Sequence, residues 1–131
     1  MGVARGGASV TQIIAYVLLA AVLSSTGNLI IKNAVKTMGG LNLGANAVQS
    51  LFHLFTNPGI VVGLGLYLIG FVIWARVLSL ADISTAYPIF ISLAFTIVVV
   101  GSRLFFNESL GLLKIAGIVI IALGIVIVSR G

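Results

Sequence analysis

Three polar side chains fall at a helical spacing inside a largely apolar stretch of the chain. They are Ser24, Asn28 and Lys32, at i, i+4 and i+8, with Tyr16 extending the same face. Such a face offers a hydroxyl, an amide and a cation, which together can hold a hydroxylated, negatively charged molecule. A polar stripe is costly against lipid, so it should face the interior of a helix bundle. The same residues could instead serve structure, with Ser24 and Asn28 bonding neighbouring helices and Lys32 reaching up to a membrane surface. Other chemistry is scarce. Asp82 and Glu108 are the only acids, His53 is the only histidine, and there is no cysteine. Paired-carboxylate catalysis, a metal site, disulfides and any cofactor that needs such ligands are therefore not expected, and an enzyme reading is poor.

What could position these groups is set by composition. Of 131 residues, 60% are hydrophobic and 7% charged, and the mean hydropathy is +1.30. A soluble domain carries about 25% charged residues, and a chain this short has too little interior to hide its apolar surface from water. The expected class is an all-α membrane protein. Hydropathy places four transmembrane helices at residues 11–32, 58–80, 85–106 and 110–128, forming one domain over residues 1–131. A helix needs about 20 residues to cross the hydrocarbon, and lipid forces helix on such segments because every backbone amide must be satisfied internally.

The ends carry signals. Asn57-Pro58 reads as an N-cap followed by proline at the first helical position. Asn107-Glu108-Ser109 reads as the opening of the fourth helix, with the acid at the positive end of its dipole. The short link through Ala81 and Ser84 requires helices two and three to be antiparallel neighbours. Residues 38–56 form one long connection. Gly39, Gly40 and Gly44 loosen its first half, while Val48, Leu51, Phe52 and Phe55 form an apolar stripe in its second. This predicts a short interfacial helix near residues 45–56, with His53 on its polar face. The N-terminus, with Arg5 before an apolar run, resembles a signal peptide, but the run is too long and further spans follow. Met1-Gly2 lacks the Ser or Thr of a myristoylation site, since position 6 is glycine.

The net charge is +5, yet the basic residues are scattered, which speaks for membrane-surface flanks and lipid headgroups rather than nucleic acid. Arg5, Arg76 and Arg130 fall on one side, and Lys32, Lys36, Arg103 and Lys114 on the other. This near balance leaves orientation open and admits insertion both ways, with antiparallel self-pairing. Pairing would supply the second of two inverted repeats that many transporters use. Glycines mark close contacts: Gly59 and Gly63 in a GxxxG spacing with Gly65 and Gly70 beyond, and Gly117 and Gly124 seven apart on one face of helix four, a candidate dimer interface.

The run Ser84-Thr85-Ala86-Tyr87-Pro88, then Phe105-Phe106-Asn107-Glu108-Ser109-Leu110, then Gly117 and Gly124, resembles the drug/metabolite transporter (EamA-like) superfamily. The four-helix size matches its small multidrug resistance proteins and the small subunits of the aminoarabinose–phosphoundecaprenol flippase. The drug exporters carry a helix-one glutamate that exchanges protons for cationic drugs. The matching position here is Ser24, and no acid lies in any span core, which puts that mechanism in doubt. Gly27-Asn28 with Lys32-Asn33-Ala34 looks more like the flippase subunits. That resemblance implies movement of a polyprenyl-phosphate-linked sugar across the bacterial inner membrane, by a homodimer or a heterodimer with a related small subunit. Lys32, Arg103 and Arg76 could then meet the lipid phosphate, and Ser24, Asn28 and Tyr87 the sugar. Two alternatives stand beside it: a small-molecule exporter without the usual glutamate, and a non-transporting accessory subunit of a membrane enzyme.

Overall fold

The computed structural model describes residues 7–131, without the side chain of Ser129. Arg5 and the N-terminal residues weighed above as a targeting signal lie outside the described residues. Five helices follow one another: α1 (Val10–Thr37), α2 (Ala47–Thr56), α3 (Pro58–Leu80), α4 (Ile83–Phe106) and α5 (Leu112–Arg130). Three of them, α1, α3 and α4, are long and apolar enough to cross a membrane. At 1.5 Å per residue, α5 with its 19 residues is about 28 Å long, close to the hydrocarbon thickness of about 30 Å.

Local sequence sets each boundary. Ser9 caps α1: its hydroxyl accepts from the Gln12 N–H at 3.2 Å, and its own N–H donates to the Gln12 side-chain oxygen at 3.0 Å, a reciprocal box that satisfies two end donors. α1 does not stop near Lys32 but runs a further turn and more to Thr37. It ends at Gly39 (φ 83°) and Gly40 (φ 95°). Their N–H groups donate to the Lys36 and Val35 carbonyls at 3.2 and 2.9 Å, a closure that needs left-handed backbone and hence glycine. Asn57 caps α3, its side-chain oxygen accepting from the N–H groups of Gly59 at 2.9 Å and Ile60 at 3.4 Å.

The start of the last helix also differs from the sequence expectation. Asn107, Glu108 and Ser109 do not open the last helix. Asn107 adopts left-handed backbone (φ 51°) and closes α4, with its N–H on the Ser102 carbonyl. α5 begins only at Leu112 and has no acid in its first turn. Asparagine tolerates this conformation where most residues do not, so it serves as a helix stop.

α1 is the hub. It packs most extensively on α3 and next on α4, while α5 rests chiefly on α4. The α1–α3 seam is built from small residues. A Cβ at Gly27 would meet the Gly63 carbonyl oxygen at 2.6 Å, one at Gly63 would meet that of Gly27 at 2.9 Å, and one at Gly59 would meet Ala34 at 2.9 Å. At Gly27 and Gly63 the approach is backbone to backbone, and at Gly59 it is against the Ala34 methyl; dispersion and packing reward such contacts in lipid, where no hydrophobic drive between helices exists. The pairing order, Gly59 by Ala34 and Gly70 by Ser24, makes α1 and α3 antiparallel.

Against α4, Leu29 lies across Gly101, and the fully buried Ser25 hydroxyl donates to the Ala94 carbonyl at 3.2 Å. Val17, Val77 and Ala86 form the core at the opposite end, under Ile13 and Phe90. α4 therefore runs parallel to α1 and antiparallel to α3. The short link does make α3 and α4 antiparallel, but both lean on α1 more than on each other. Most remaining apolar side chains point outward, as the surface of a bundle in lipid should.

Candidate functional site: a cation cluster at one end of the bundle

The α1–α4 pairing carries the C-terminal ends of both helices to one end of the bundle. There Lys32, on α1, forms an ion pair with Glu108, just past α4. The two are 76 positions apart in sequence. The left-handed turn at Asn107 folds the chain back and delivers Glu108. Its N–H lies 3.4 Å from the Ser102 carbonyl, and its carbonyl accepts from Arg103 Nη1 at 3.5 Å. The Lys32 ammonium also sits 4.8 Å from the centre of the Phe106 ring, and Lys36 sits 5.7 Å from the same centre. Both are within cation–π range.

A cavity of about 360 Å³ opens beside this pair. Asn28, Lys32, Ser102, Glu108 and Lys114 supply its polar lining, and Leu29, Val98, Val99 and Leu110 the apolar part. Lys32 reaches into it from α1, Ser102 from α4 and Lys114 from the first turn of α5. On the other side of the Leu29–Gly101 crossing lies a larger groove of about 760 Å³ between α1 and α4. It is mostly apolar, with Ile30, Ile97, Val100, Leu104 and Phe105 on its walls and Thr26, Asn33 and Thr96 as its polar points. Phe106 lines this groove while its ring carries Lys32 and Lys36. A charged cluster therefore lies beside an apolar groove.

The candidate residues chosen from sequence divide between two ends. Asn28 and Lys32 line the small cavity, and Arg103 stands beside it through Glu108. Ser24 does not reach it. It is 7% exposed and packs against Gly70 in the α1–α3 seam. Tyr87 and Arg76 lie at the far end. Tyr87 is sixteen residues before Arg103, about 24 Å along a helix. Its ring is 6.1 Å from that of Trp74, which packs on Phe90 at 4.5 Å. Arg76 Nη1 lies 3.4 Å from the Ser79 hydroxyl. Gly117 and Gly124 face open space on α5. His53 belongs to α2, beside a shallow depression lined by Met38, Ser50 and Asn57.

Sequence reading did not gather Glu108, Ser102, Lys114 and Phe106 into this site. The expectation that Asn107-Glu108-Ser109 opens the fourth helix places Glu108 at the wrong helix end. An asparagine directly after a 20-residue apolar run is equally a C-cap, and that reading would have turned Glu108 back toward Lys32.

Fold and site together define a multi-pass helical membrane protein with a cation-lined cavity at one end of its helices. Two relatives sharpen this. The chain is 31% identical over 118 residues to the uncharacterized protein y4nH of Sinorhizobium fredii, covering 90% of this chain and 95% of the relative. It is 30% identical over 117 residues to the probable 4-amino-4-deoxy-L-arabinose-phosphoundecaprenol flippase subunit ArnF of Photorhabdus laumondii, covering 86% of this chain and 93% of the relative. The chain belongs to the family of these small flippase-subunit-like membrane proteins. No family model matches the chain, and no solved structure does.

Proposed function

We propose that this protein is a flippase-type carrier subunit. It moves an anionic, lipid-linked substrate, of the polyprenyl-phosphate-linked sugar class, across the bacterial inner membrane. The observation that carries the reading is the meeting of Asn28, Lys32, Ser102 and Lys114 around one cavity, next to an apolar groove, at one end of the helices. A lipid phosphate seeks cations at the level of the headgroups. A sugar seeks hydroxyl and amide partners, which Ser102 and Asn28 offer. An isoprenoid chain seeks a laterally open apolar groove, which the α1–α4 face offers. The relative named as a flippase subunit adds independent support.

In this reading α5 is the fourth span, and the working unit is a dimer, either of two copies or with a related small subunit. Gly117 and Gly124 leave a flat strip on α5 for close approach. An antiparallel pair would provide the inverted repeats of alternating access. Tyr87 and Arg76 would then meet the substrate only at the opposite membrane face.

The test is native mass spectrometry of the protein in mild detergent, with polyprenyl phosphate titrated in. Retained polyprenyl phosphate on the wild type, reduced roughly tenfold in Lys32→Ala, is the expected result; a charge-assisted contact is worth about 1.5–3 kcal/mol. Equal retention in the two proteins rejects Lys32 as the phosphate partner. Retention of bulk phospholipid alone turns attention to small-molecule transport.

A further inference from the structure

Four cations, Lys32, Lys36, Arg103 and Lys114, lie at this end of the bundle with one carboxylate, Glu108. Of the two acids in the chain, it is Glu108 that sits against the cation placed deepest along α1. The contact is not an accident of two long surface side chains meeting. The left-handed backbone of Asn107 turns the chain back toward α1. Arg103 holds the Glu108 carbonyl, and the Glu108 N–H points at Ser102. The side chain that results occupies the wall of the cavity that Lys32, Lys114, Ser102 and Asn28 also line. Neither partner is sealed in: Lys32 is 45% and Glu108 34% exposed, so a competing anion can reach the ammonium.

We propose that Glu108 is a built-in placeholder for the ligand's phosphate: it occupies Lys32 in the empty site, and an incoming phosphate displaces it. This rests on the phosphate-binding reading above and adds a regulator to it. The physical logic is competition for one cation. The carboxylate is tethered, carries a single charge, and satisfies Lys32 alone. The phosphate of a lipid-linked sugar is a diester with one charge and two free oxygens, which can address Lys32 and Lys114 together, both of which line the cavity; a monoester such as farnesyl phosphate carries up to about two charges. Either therefore wins at the site, but only after displacing Glu108, which lowers the apparent affinity for every anion. Glu108 is in these terms an internal competitor rather than a ligand contact.

The experiment is a double-mutant cycle. Glu108→Gln, Lys32→Ala and the combined variant are compared with the wild type as full-length proteins in a neutral maltoside detergent. The probe is farnesyl phosphate, with inorganic phosphate as a second arm, and binding is read by native mass spectrometry and calorimetry. Exposed ion pairs of this kind are weak, so Glu108→Gln should tighten farnesyl phosphate binding by about two- to fivefold. In the Lys32→Ala background the same change should give little gain, because no shared cation remains to compete for. Tightening with both probes makes the phosphate group itself the competitor. Tightening with farnesyl phosphate alone makes it a lipid-borne phosphate. Unchanged or weaker binding of both probes by a monodisperse Glu108→Gln protein overturns the placeholder role. So does an equal gain in the presence and absence of Lys32. Loss of binding in Lys32→Ala without any effect of Glu108→Gln would leave the phosphate reading intact and remove only this inference. Lys32→Ala without effect would remove the reading beneath it.

Discussion

Replacing Gly27 with alanine puts one methyl group where α1 and α3 meet backbone to backbone. The new Cβ would stand 2.6 Å from the Gly63 carbonyl oxygen and 3.1 Å from the Tyr67 nitrogen, whereas ordinary contact begins near 3.4 Å. The nearest obstacle is main chain, which cannot swing aside, so the helices must part by about 0.8 Å. A radial gap of about 0.5–1 Å forfeits a quarter to a half of each van der Waals well, and here it would spread along the seam from Ala20 to Ala34. Overpacking of this kind costs about 1–3 kcal/mol, or about a five- to 150-fold shift of the folding equilibrium. In water, alanine would recover about 1 kcal/mol of helix propensity. In lipid the separated helices are already helical, so that recovery is small.

The assay is unfolding of the detergent-solubilised protein by a denaturing detergent, followed by circular dichroism and by separation of folded from unfolded protein. Gly65→Ala is the control, because nothing lies within 4 Å of a Cβ there; it should stay within about 0.5 kcal/mol of the wild type. Gly27→Ala combined with Gly63→Ala should cost less than the sum of the two, since helices already parted by one methyl pay less for the second. A Gly27→Ala protein as stable as Gly65→Ala would refute the close crossing of α1 and α3.

Two further outcomes follow from other parts of the fold. Asn57→Ala removes the acceptor for two N–H groups at the start of α3 and should cost about 1 kcal/mol in the same unfolding assay, while Asn57→Asp keeps the acceptor and should recover most of it. Gly117→Leu with Gly124→Leu adds bulk where α5 meets no neighbour within the chain. It should leave monomer stability nearly unchanged and shift the native mass of the dimer proposed above to monomer; a dimer that survives the change would move the seam elsewhere, and a monomeric wild type would remove the proposed dimer.

That this chain is a helical membrane protein, and that α3 starts at Asn57-Pro58, could be read from the sequence. Those facts follow from composition, from the 20-residue apolar runs and from capping residues such as Asn57, all of which act locally or on the chain as a whole. The sequence also marked Gly59, Gly63 and Gly70 as points of close approach, although only the structure distinguished them from Gly65, where an added Cβ would meet nothing within 4 Å. The tertiary structure alone decided which helix faces meet. Ser24 and Ser25 are neighbours on α1, yet one packs on α3 and the other bonds to α4, because a turn of 100° per residue sends adjacent side chains to different partners. The site shows the same limit. Lys32 and Lys114 were visible as isolated cations near helix ends, and Glu108 as a helix-opening acid. A single left-handed residue, Asn107, reversed the last of these and brought Glu108 to Lys32. The energy difference between an asparagine that starts a helix and one that ends it is set by what the following residues can pack against, and that is a property of α1 and α4 together.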